Sequence, residues 1–201
     1  MSDQLDIEAR LYQLEQARLT AFCATLSERL FPNFALFSRL VDFGDAQQLR
    51  QILNGVWDSL SNSGAKMNFE VQLDNVESNM PDLDVFDMYG ASPALDAVIA
   101  LFSTLSCMLD SDTAEAVSVA NLSRECVATF IEVTEGDDQM SDEELVRFIN
   151  THDMMLQEEA FQETVLDLLE VEGPLNPSRI KALRQLGQNE GCSNIGISDQ
   201  D

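Results

Sequence analysis

The sequence predicts an all-α fold, and two observations about its apolar residues predict it. Apolar residues recur at intervals of three and four along most of the chain, as they do on one face of an amphipathic helix. Strict alternation over five or more residues is rare, and Val and Ile do not cluster as they do in strands. We therefore expect a single-domain bundle of about seven to nine helices over residues 1–201, because no linker is long enough to separate domains.

The first third of the chain is predicted to contain three helices. Apolar spacing indicates a helix over about residues 3–30, which Pro32 ends because proline lacks the N–H group that a helix interior needs. A short aromatic helix then covers residues 33–43. Asp45 and Gln48 match a capping box at the start of the third helix.

The middle of the chain is predicted to contain two helices joined by an acidic loop. The first runs from Lys66 to Met80 and ends at Pro81, because the residue before a proline disfavours helical geometry. An Asp-rich loop over residues 81–91 leads to the second, an apolar helix from Ser92 to Leu109. Ser92 is the expected N-cap of that helix, with Pro93 at its first helical position.

The later helix starts are marked by side chains that are typical of N-caps. These are Ser111 or Asp112, then Ser141 with Glu144 in a capping box, and then Asn176 followed by Pro177. The last of these helices leads into a tail over residues 191–201, which is expected to be non-helical because its Gly, Ser and Asn residues break helices.

Asp96 is the lone acid in the apolar helix from Ser92 to Leu109. Its neighbours on most helix faces are apolar, so we expect its carboxylate to be buried. A buried carboxylate needs an Arg, a hydroxyl group or free backbone amides as a partner. Asp96 is therefore either a structural acid that ties the helix start to a neighbour, which is the favoured reading, or a ligand-binding acid beside Tyr89.

The C-terminal tail admits two interpretations. Ile195 and Ile197 alternate with polar residues, as in an extended segment that packs one face on the bundle. A packed tail is the favoured interpretation. In the other, Ser193 and Asn194 line a small polar pocket with their backbone amides.

The chain is strongly acidic: 36 Asp and Glu against 11 Lys and Arg give a formal net charge of −25. Such a charge repels nucleic-acid phosphates and anionic lipids, so we expect neither direct nucleic-acid binding nor membrane binding. The negative charge either keeps the protein soluble or recruits a basic protein. The N-terminal residues lack a signal-peptide pattern, and the uncharged run over residues 97–109 is shorter than the roughly 20 residues of a membrane span. A cytoplasmic location is expected.

The sequence lacks the common nucleotide-binding, hydrolase and metalloprotease motifs. Its four cysteines are far apart, which predicts reduced thiols, and the single His152 is expected at the surface or at a helix end. The basic cluster over residues 179–184 is expected to pair internally with the segment of residues 140–172. We therefore expect no metal and no cofactor, and an enzymatic function is disfavoured without being excluded.

Several stretches, taken in order, resemble one family. They are LFPNFALF at residues 30–37, DFGD at 42–45, the helix that carries Trp57, KMNFEVQL at 66–73, DMYGASPALDA at 87–97, MSDEEL at 140–145 and SNIGI at 193–197. Together they are similar to the YjaG-like family of bacterial proteins, a domain-of-unknown-function family. The resemblance implies a helical, soluble, cytoplasmic protein, and it implies no reaction and no site.

Two functions from different classes follow as hypotheses. The leading one is a non-enzymatic interaction domain whose apolar and acidic surfaces engage a protein, which is either a second copy of the chain or a basic protein. The alternative is a small-ligand-binding protein or enzyme with a pocket formed by four residues, Tyr89, Asp96, Ser193 and Asn194.

Overall fold

The computed structural model describes residues 2–63, 66–110, 112–137 and 139–198, with side chains described from Ile7 onward. These residues form nine α-helices and one short 3-10 helix, Asn189–Gly191, and the predicted all-α bundle is confirmed. The α-helices are α1 (Ser2–Leu11), α2 (Gln16–Val41), α3 (Ala46–Leu60), α4 (Phe69–Glu77), α5 (Ala91–Asp110), α6 (Thr113–Glu135), α7 (Asp142–Thr151), α8 (Asp153–Glu170) and α9 (Pro177–Gln188).

Helices α2 and α5 form the centre of the bundle. They pack along each other, α6 contacts both, and α3 and α9 lie against α2. On the periphery, α4 packs on α5, α8 packs on α6, and α1 contacts α8 and α6. Large side chains that are fully buried in the shared core are Trp57, Phe22, Phe34, Leu11, Leu26, Leu30, Leu49, Ile52, Leu53, Leu105, Ile131 and Leu166.

Helix α5 is long and apolar enough to cross a membrane by length and composition, with a mean hydropathy of 1.6 over its most apolar window. Inside the bundle, however, 56% of that window is buried. The packing of α2, α4 and α6 around α5 accounts for its apolar character, as for the core helix of a globular domain.

Pro32 lies inside α2, so the predicted helix end at this proline is wrong. The side chains of Leu30 and Phe34, on either side of Pro32, are both buried in the core. Their burial offsets the cost of an interior proline, which is about 3 kcal/mol. The chain breaks instead at residues 12–15, where Glu15 has an extended backbone and caps α2 without a side-chain hydrogen bond.

Two other predicted boundaries need correction. Helix α5 begins at Ala91, so Ser92 lies inside the first turn and is not the N-cap. Helix α4 covers Phe69–Glu77 only, because the side chain of Asn68 caps its start and because Asn79 leaves the helix to bind the start of α3. There, Asn79 Oδ1 accepts the backbone N–H of Asp45 at 2.6 Å.

The predicted caps that depend on neighbouring residues are confirmed. They are Asp45, which accepts the N–H of Gln48 at 2.8 Å, Asp112 at the start of α6, the reciprocal Ser141 and Glu144 capping box of α7, and Asn176, which accepts the N–H of Arg179 at 3.0 Å before α9. The reciprocal half of the capping box predicted for Asp45 and Gln48 does not form, because both the Asp45 N–H and the Gln48 side-chain oxygen bind Asn79 instead. The alternative cap, Ser111, lies outside the described residues.

Gly187 permits the close contact between α9 and α2. A Cβ atom at this position would lie 2.5 Å from the carbonyl oxygen of Thr25 and 2.9 Å from Cβ of Glu28. We expect Gly187→Ala to lower the free energy of unfolding by about 1–3 kcal/mol, because the α2 backbone cannot move aside. Urea unfolding measures the change. Gly90→Ala is the control, since nothing lies within 4 Å of the added Cβ there, and an equal loss in both variants would contradict the account.

After α9 the chain turns through Asn189 and Glu190, two residues with left-handed backbone (φ 43° and 55°). Residues 192–198 form a tight turn in which Cys192 pairs with Ser198. Ile195 is buried in the core, so the tail packs on the bundle. The last three residues of the predicted tail lie outside the described residues.

Candidate functional site

Three of the four predicted ligand-binding residues lie near the thiol of Cys126 on α6. The carboxyl of Asp96 on α5 is close enough to this thiol for each group to shift the pKa of the other. Oδ1 of Asn194, in the tail, lies 3.9 Å from Cys126 Sγ. Tyr89 is close enough for both Asp96 and Cys126 to affect its ionisation, and its ring centre lies 6.1 Å from that of Phe130. The fold therefore brings α5, α6 and the tail together here.

The groups of this cluster are biased toward their neutral forms. Burial raises the pKa of Asp96 to about 6, the nearby thiol of Cys126 opposes the rise, and the charge of Glu125 adds to it. Burial also raises the pKa of the Cys126 thiol and that of the Tyr89 phenol. A thiol with a raised pKa stays protonated at neutral pH and is a poor nucleophile. The cluster can hold a proton, but Cys126 is not activated for attack.

Ser193 and Asn194 dock the tail on the bundle. Ser193 Oγ accepts two backbone N–H groups of the tail turn, at 3.1 and 3.3 Å. Asn194 Nδ2 donates to the carbonyl oxygen of Ser123 on α6 at 3.1 Å, and its Oδ1 accepts from Asn33 Nδ2 on α2 at 3.1 Å. Both residues are buried, so these bonds give each of them a packing role.

The described part of the chain carries five marked surface grooves, and the four predicted ligand-binding residues line none of these five. Their role in ligand binding stays a prediction. Cys126 is the member of the cluster that the sequence analysis missed. Its position in α6 carries no local signal, because its partners are 30 and 68 residues away along the chain.

We expect Asp96→Asn to change how stability depends on pH. The ordinary Asp pKa is about 4, so the native state, with a pKa of about 6, binds this proton more tightly than the unfolded chain does. The contribution of Asp96 to wild-type stability therefore falls as pH rises from 4 to 6. The Asp96→Asn variant has no group to ionise at this position. Its free energy of unfolding should therefore rise by about 2 kcal/mol relative to that of wild type between pH 4 and pH 7.

Urea unfolding of both proteins at pH 4, 5, 6 and 7 checks this expectation. Asp110→Asn is the control, because Asp110 is exposed at the other end of the same helix. A difference between Asp96→Asn and wild type that stays constant across this range would show that Asp96 ionises normally in the native state.

Glu158 on α8 is the centre of a second polar cluster and is fully buried. Its Oε1 accepts Ser123 Oγ at 2.7 Å and Gln162 Nε2 at 3.0 Å, and its Oε2 accepts Arg29 Nε at 3.2 Å. Because Asn194 also donates to Ser123, one hydrogen-bonded chain links the tail, α6, α8 and α2. Each member restrains the others, which fixes a single packing of these elements.

Glu28 on α2 is the centre of a third cluster and is also buried. Arg50 from α3 and Arg184 from α9 both donate to its carboxylate, Arg184 through Nε at 3.0 Å. Arg184 also donates to Asn54 on α3. The cluster joins three helices that are far apart in sequence.

The basic cluster on α9 was predicted to pair with residues 140–172, which is wrong for Arg184 but right for Arg179. Arg184 pairs with Glu28 because α9 packs on α2. Arg179 donates to main-chain carbonyl groups of residues 168–174, where the chain leaves α8. A cation near the end of a helix stabilises its last carbonyl groups.

No three His, Cys, Asp or Glu side chains converge as metal ligands among the described residues. His152 caps α8 through Nδ1, which accepts the N–H of Met154 at 3.2 Å. Its Nε2 lies 3.2 Å from the Glu135 carboxylate. The predicted position of His152 at a helix end is confirmed.

An apolar surface patch lies where α2 ends and the loop before α5 packs on it. We call this the α2-end patch and define it by four exposed side chains: Leu40, Leu83, Val85 and Met88. Beneath it, the ring of Phe86 packs edge-on at 5.2 Å from Phe37 and at 5.1 Å from Phe43. Leu40 and Val85 are 69% and 68% exposed, which is unusual for apolar residues that adjoin a packed aromatic cluster.

Nearly the whole chain is similar to known proteins. The family described as "Protein of unknown function (DUF416)" matches residues 6–198. "Uncharacterized protein YjaG" of Salmonella typhimurium is 37% identical over 198 residues, which cover 98% of each chain. Its Escherichia coli counterpart is 38% identical over 195 residues, 96% of this chain and 97% of that one.

A solved structure matches as well. The crystal structure of a DUF416 family protein from Shewanella baltica superposes with a TM-score of 0.86 at 32% identity, and the match covers 95% of this chain and 97% of that one. The helical architecture described above is therefore the architecture of this relative.

Proposed function

Since the chain belongs to the DUF416 family, whose function is unknown, we propose its function from its surface: it is a non-enzymatic protein-interaction domain that binds a basic protein through the α2-end patch. The observation that carries this proposal is the exposure of Leu40 and Val85 beside the packed aromatic rings. Burying a Leu or Val side chain in a partner's surface contributes about 1.5–3 kcal/mol, so water-exposed side chains of this kind favour a partner.

The charge around the patch supports a basic partner. The two segments that form it, residues 40–49 and 81–90, contain no Lys, Arg or His. The same two segments carry five exposed aspartates, namely Asp42, Asp45, Asp82, Asp84 and Asp87. Arg39, just before Leu40, is the nearest cation along α2. An apolar centre with a charged rim is the usual anatomy of a protein interface, and here the rim is acidic.

A second copy of the chain is a poor occupant of this patch. A symmetric dimer would place the same five aspartates of each copy against one another, in molecules that each carry a formal net charge of −25. A partner with an apolar anchor flanked by Lys or Arg gains the apolar contact without this repulsion.

The same charge supports two further parts of the proposal. The domain acts in the cytoplasm, and neither nucleic acid nor a membrane is a direct partner. A chain with 36 acids and 11 cations has little basic surface from which to displace the counterions of phosphates or lipid headgroups.

The test uses the full chain and a Leu40→Ser/Val85→Ser double variant. Proteins that are enriched by the wild-type chain are purified. The dissociation constant of each one is then measured by calorimetry with the wild-type chain and with the double variant. We expect a basic protein whose dissociation constant rises on the order of 30-fold or more for the double variant, because two apolar anchors are lost.

Val171→Ser is the matched control, since Val171 is 54% exposed and its carbonyl oxygen accepts from Arg18 at the start of α2, the opposite end of that helix from Leu40. It should leave the dissociation constant unchanged, and added salt should weaken wild-type binding. The proposal fails if every direct binder holds both forms equally, if the patch-dependent binder is acidic or a second copy, or if no direct binder is found.

A further inference from the structure

A second region of the molecule has the composition of a small-molecule site. A groove of about 600 Å³ opens at the corner between α2, α3 and the end of α9. Its polar lining comes from Glu28, Arg50, Gln185, Gln188 and Glu190. The volume is in the range of ligand pockets, about 300–1,000 Å³.

Arg50 forms the fixed wall of this groove. Its guanidinium donates to the buried Glu28 carboxylate, and its central carbon lies 3.7 Å from the centre of the Phe31 ring. Arg184 holds the same carboxylate from α9 at 3.0 Å, so Glu28 is itself held in place. The Arg50 side chain is nevertheless 32% exposed. A guanidinium has five N–H donors in one plane, so Arg50 retains donors for a carboxylate while its orientation is fixed.

Glu190 supplies a negative charge to the same groove. It follows Asn189, and both residues have a left-handed backbone conformation, which residues other than glycine seldom adopt. The turn is held by Asn189, whose Nδ2 donates to the carbonyl oxygen of Cys192 at 3.0 Å. Glu190 is exposed, so core packing does not account for its strained position.

The groove therefore combines a guanidinium, a carboxylate that is not part of the Glu28 cluster, and the amide groups of Gln185 and Gln188. A simple anion would be attracted by Arg50 and repelled by Glu190, and a simple cation would meet the reverse. A molecule with both charges satisfies both groups. We propose that this groove binds a small zwitterion of the amino-acid class, with its carboxylate on Arg50 and its ammonium group on Glu190.

The test is isothermal titration calorimetry of the full chain with each proteinogenic amino acid, and with succinate and putrescine as ligands that carry one kind of charge only. We expect at least one amino acid to bind, and to bind more tightly than succinate or putrescine. Glu190→Gln and Gln188→Ala should each raise its dissociation constant on the order of tenfold, as expected when one hydrogen bond to a charged group is lost.

Gln51→Ala is the control, because Gln51 is exposed on α3 next to Arg50 in sequence and does not line the groove. Arg50→Met should abolish binding, but it also disturbs the Glu28 cluster. The test therefore depends on the two groove variants, Glu190→Gln and Gln188→Ala. Three results would overturn the proposal: no amino acid binds, binding is unchanged in both groove variants, or succinate binds wild type and Glu190→Gln equally well.

Discussion

Glu158→Ala is expected to lower the free energy of unfolding by about 3–5 kcal/mol, the range for removing one partner of a buried ion pair. The carboxylate is fully buried, and the Arg29 side chain that it binds is only 10% exposed. Without Glu158, the Arg29 charge and the Ser123 hydroxyl group lose an acceptor that water cannot easily replace. Urea unfolding monitored by circular dichroism measures the loss.

A matched pair of variants separates the charge from the cavity. Glu158→Gln keeps the volume and removes only the negative charge, so it should retain most of the destabilisation. Glu163→Ala, at an exposed position one turn along the same helix, should change stability by less than about 0.5 kcal/mol. If Glu158→Ala costs no more than Glu163→Ala, the cluster around Glu158 does not stabilise the bundle.

Glu28→Gln should have the second largest effect, a loss of about 3 kcal/mol. Arg50 and Arg184 would both lose a carboxylate, but their side chains are 32% and 30% exposed, so water can hydrate them in part. This partial exposure places the loss at the lower end of the range for buried pairs. We expect α9 to detach first, because Arg184 ties it to α2, and hydrogen exchange over residues 177–188 should accelerate.

A double-mutant cycle tests whether the loss comes from this ion pair. Arg184→Met should destabilise the wild-type chain more than it destabilises the Glu28→Gln variant, in which the shared ion pair is already lost and only the bond from Arg184 to Asn54 remains. Additive losses in the cycle would mean that Glu28 and Arg184 act independently. Glu132→Gln, at an exposed position on α6, controls for the general effect of removing an acid.

Much of the fold was predictable because its signals are local. Ser141 and Glu144 form their capping box within one turn, and Asn176 caps α9 immediately before a proline. Pro32 shows the limit of such signals, since it ends a helix by local rules and yet lies within α2, where distant packing decides. The break at residues 12–15 is the reverse case. Residues there favour a helix by local rules, and yet the helix is interrupted.

The candidate sites were less predictable, because their partners are distant in sequence. The sequence predicted a buried carboxylate at Asp96 with an Arg, hydroxyl or backbone-amide partner, but Asp96 is half-buried and the group beside it is the thiol of Cys126 on the next helix, to which nothing near Asp96 in sequence pointed. Glu28 and Arg184 are 156 residues apart, so only the packing of α9 on α2 brings them together. The α2-end patch depends equally on tertiary structure, because Leu40 and Val85 would read as ordinary core residues in the sequence.

The most direct test of the proposed function is site-specific photo-crosslinking in cells, with a benzophenone amino acid in place of Val85 and, separately, in place of Val171, which lies near the start of α2. The account predicts that the probe at position 85 captures a basic protein that the probe at position 171 does not, and that Leu40→Ser abolishes this adduct. Capture of the same proteins from both positions, or of nothing from position 85, would contradict the claim that the α2-end patch is an interaction surface.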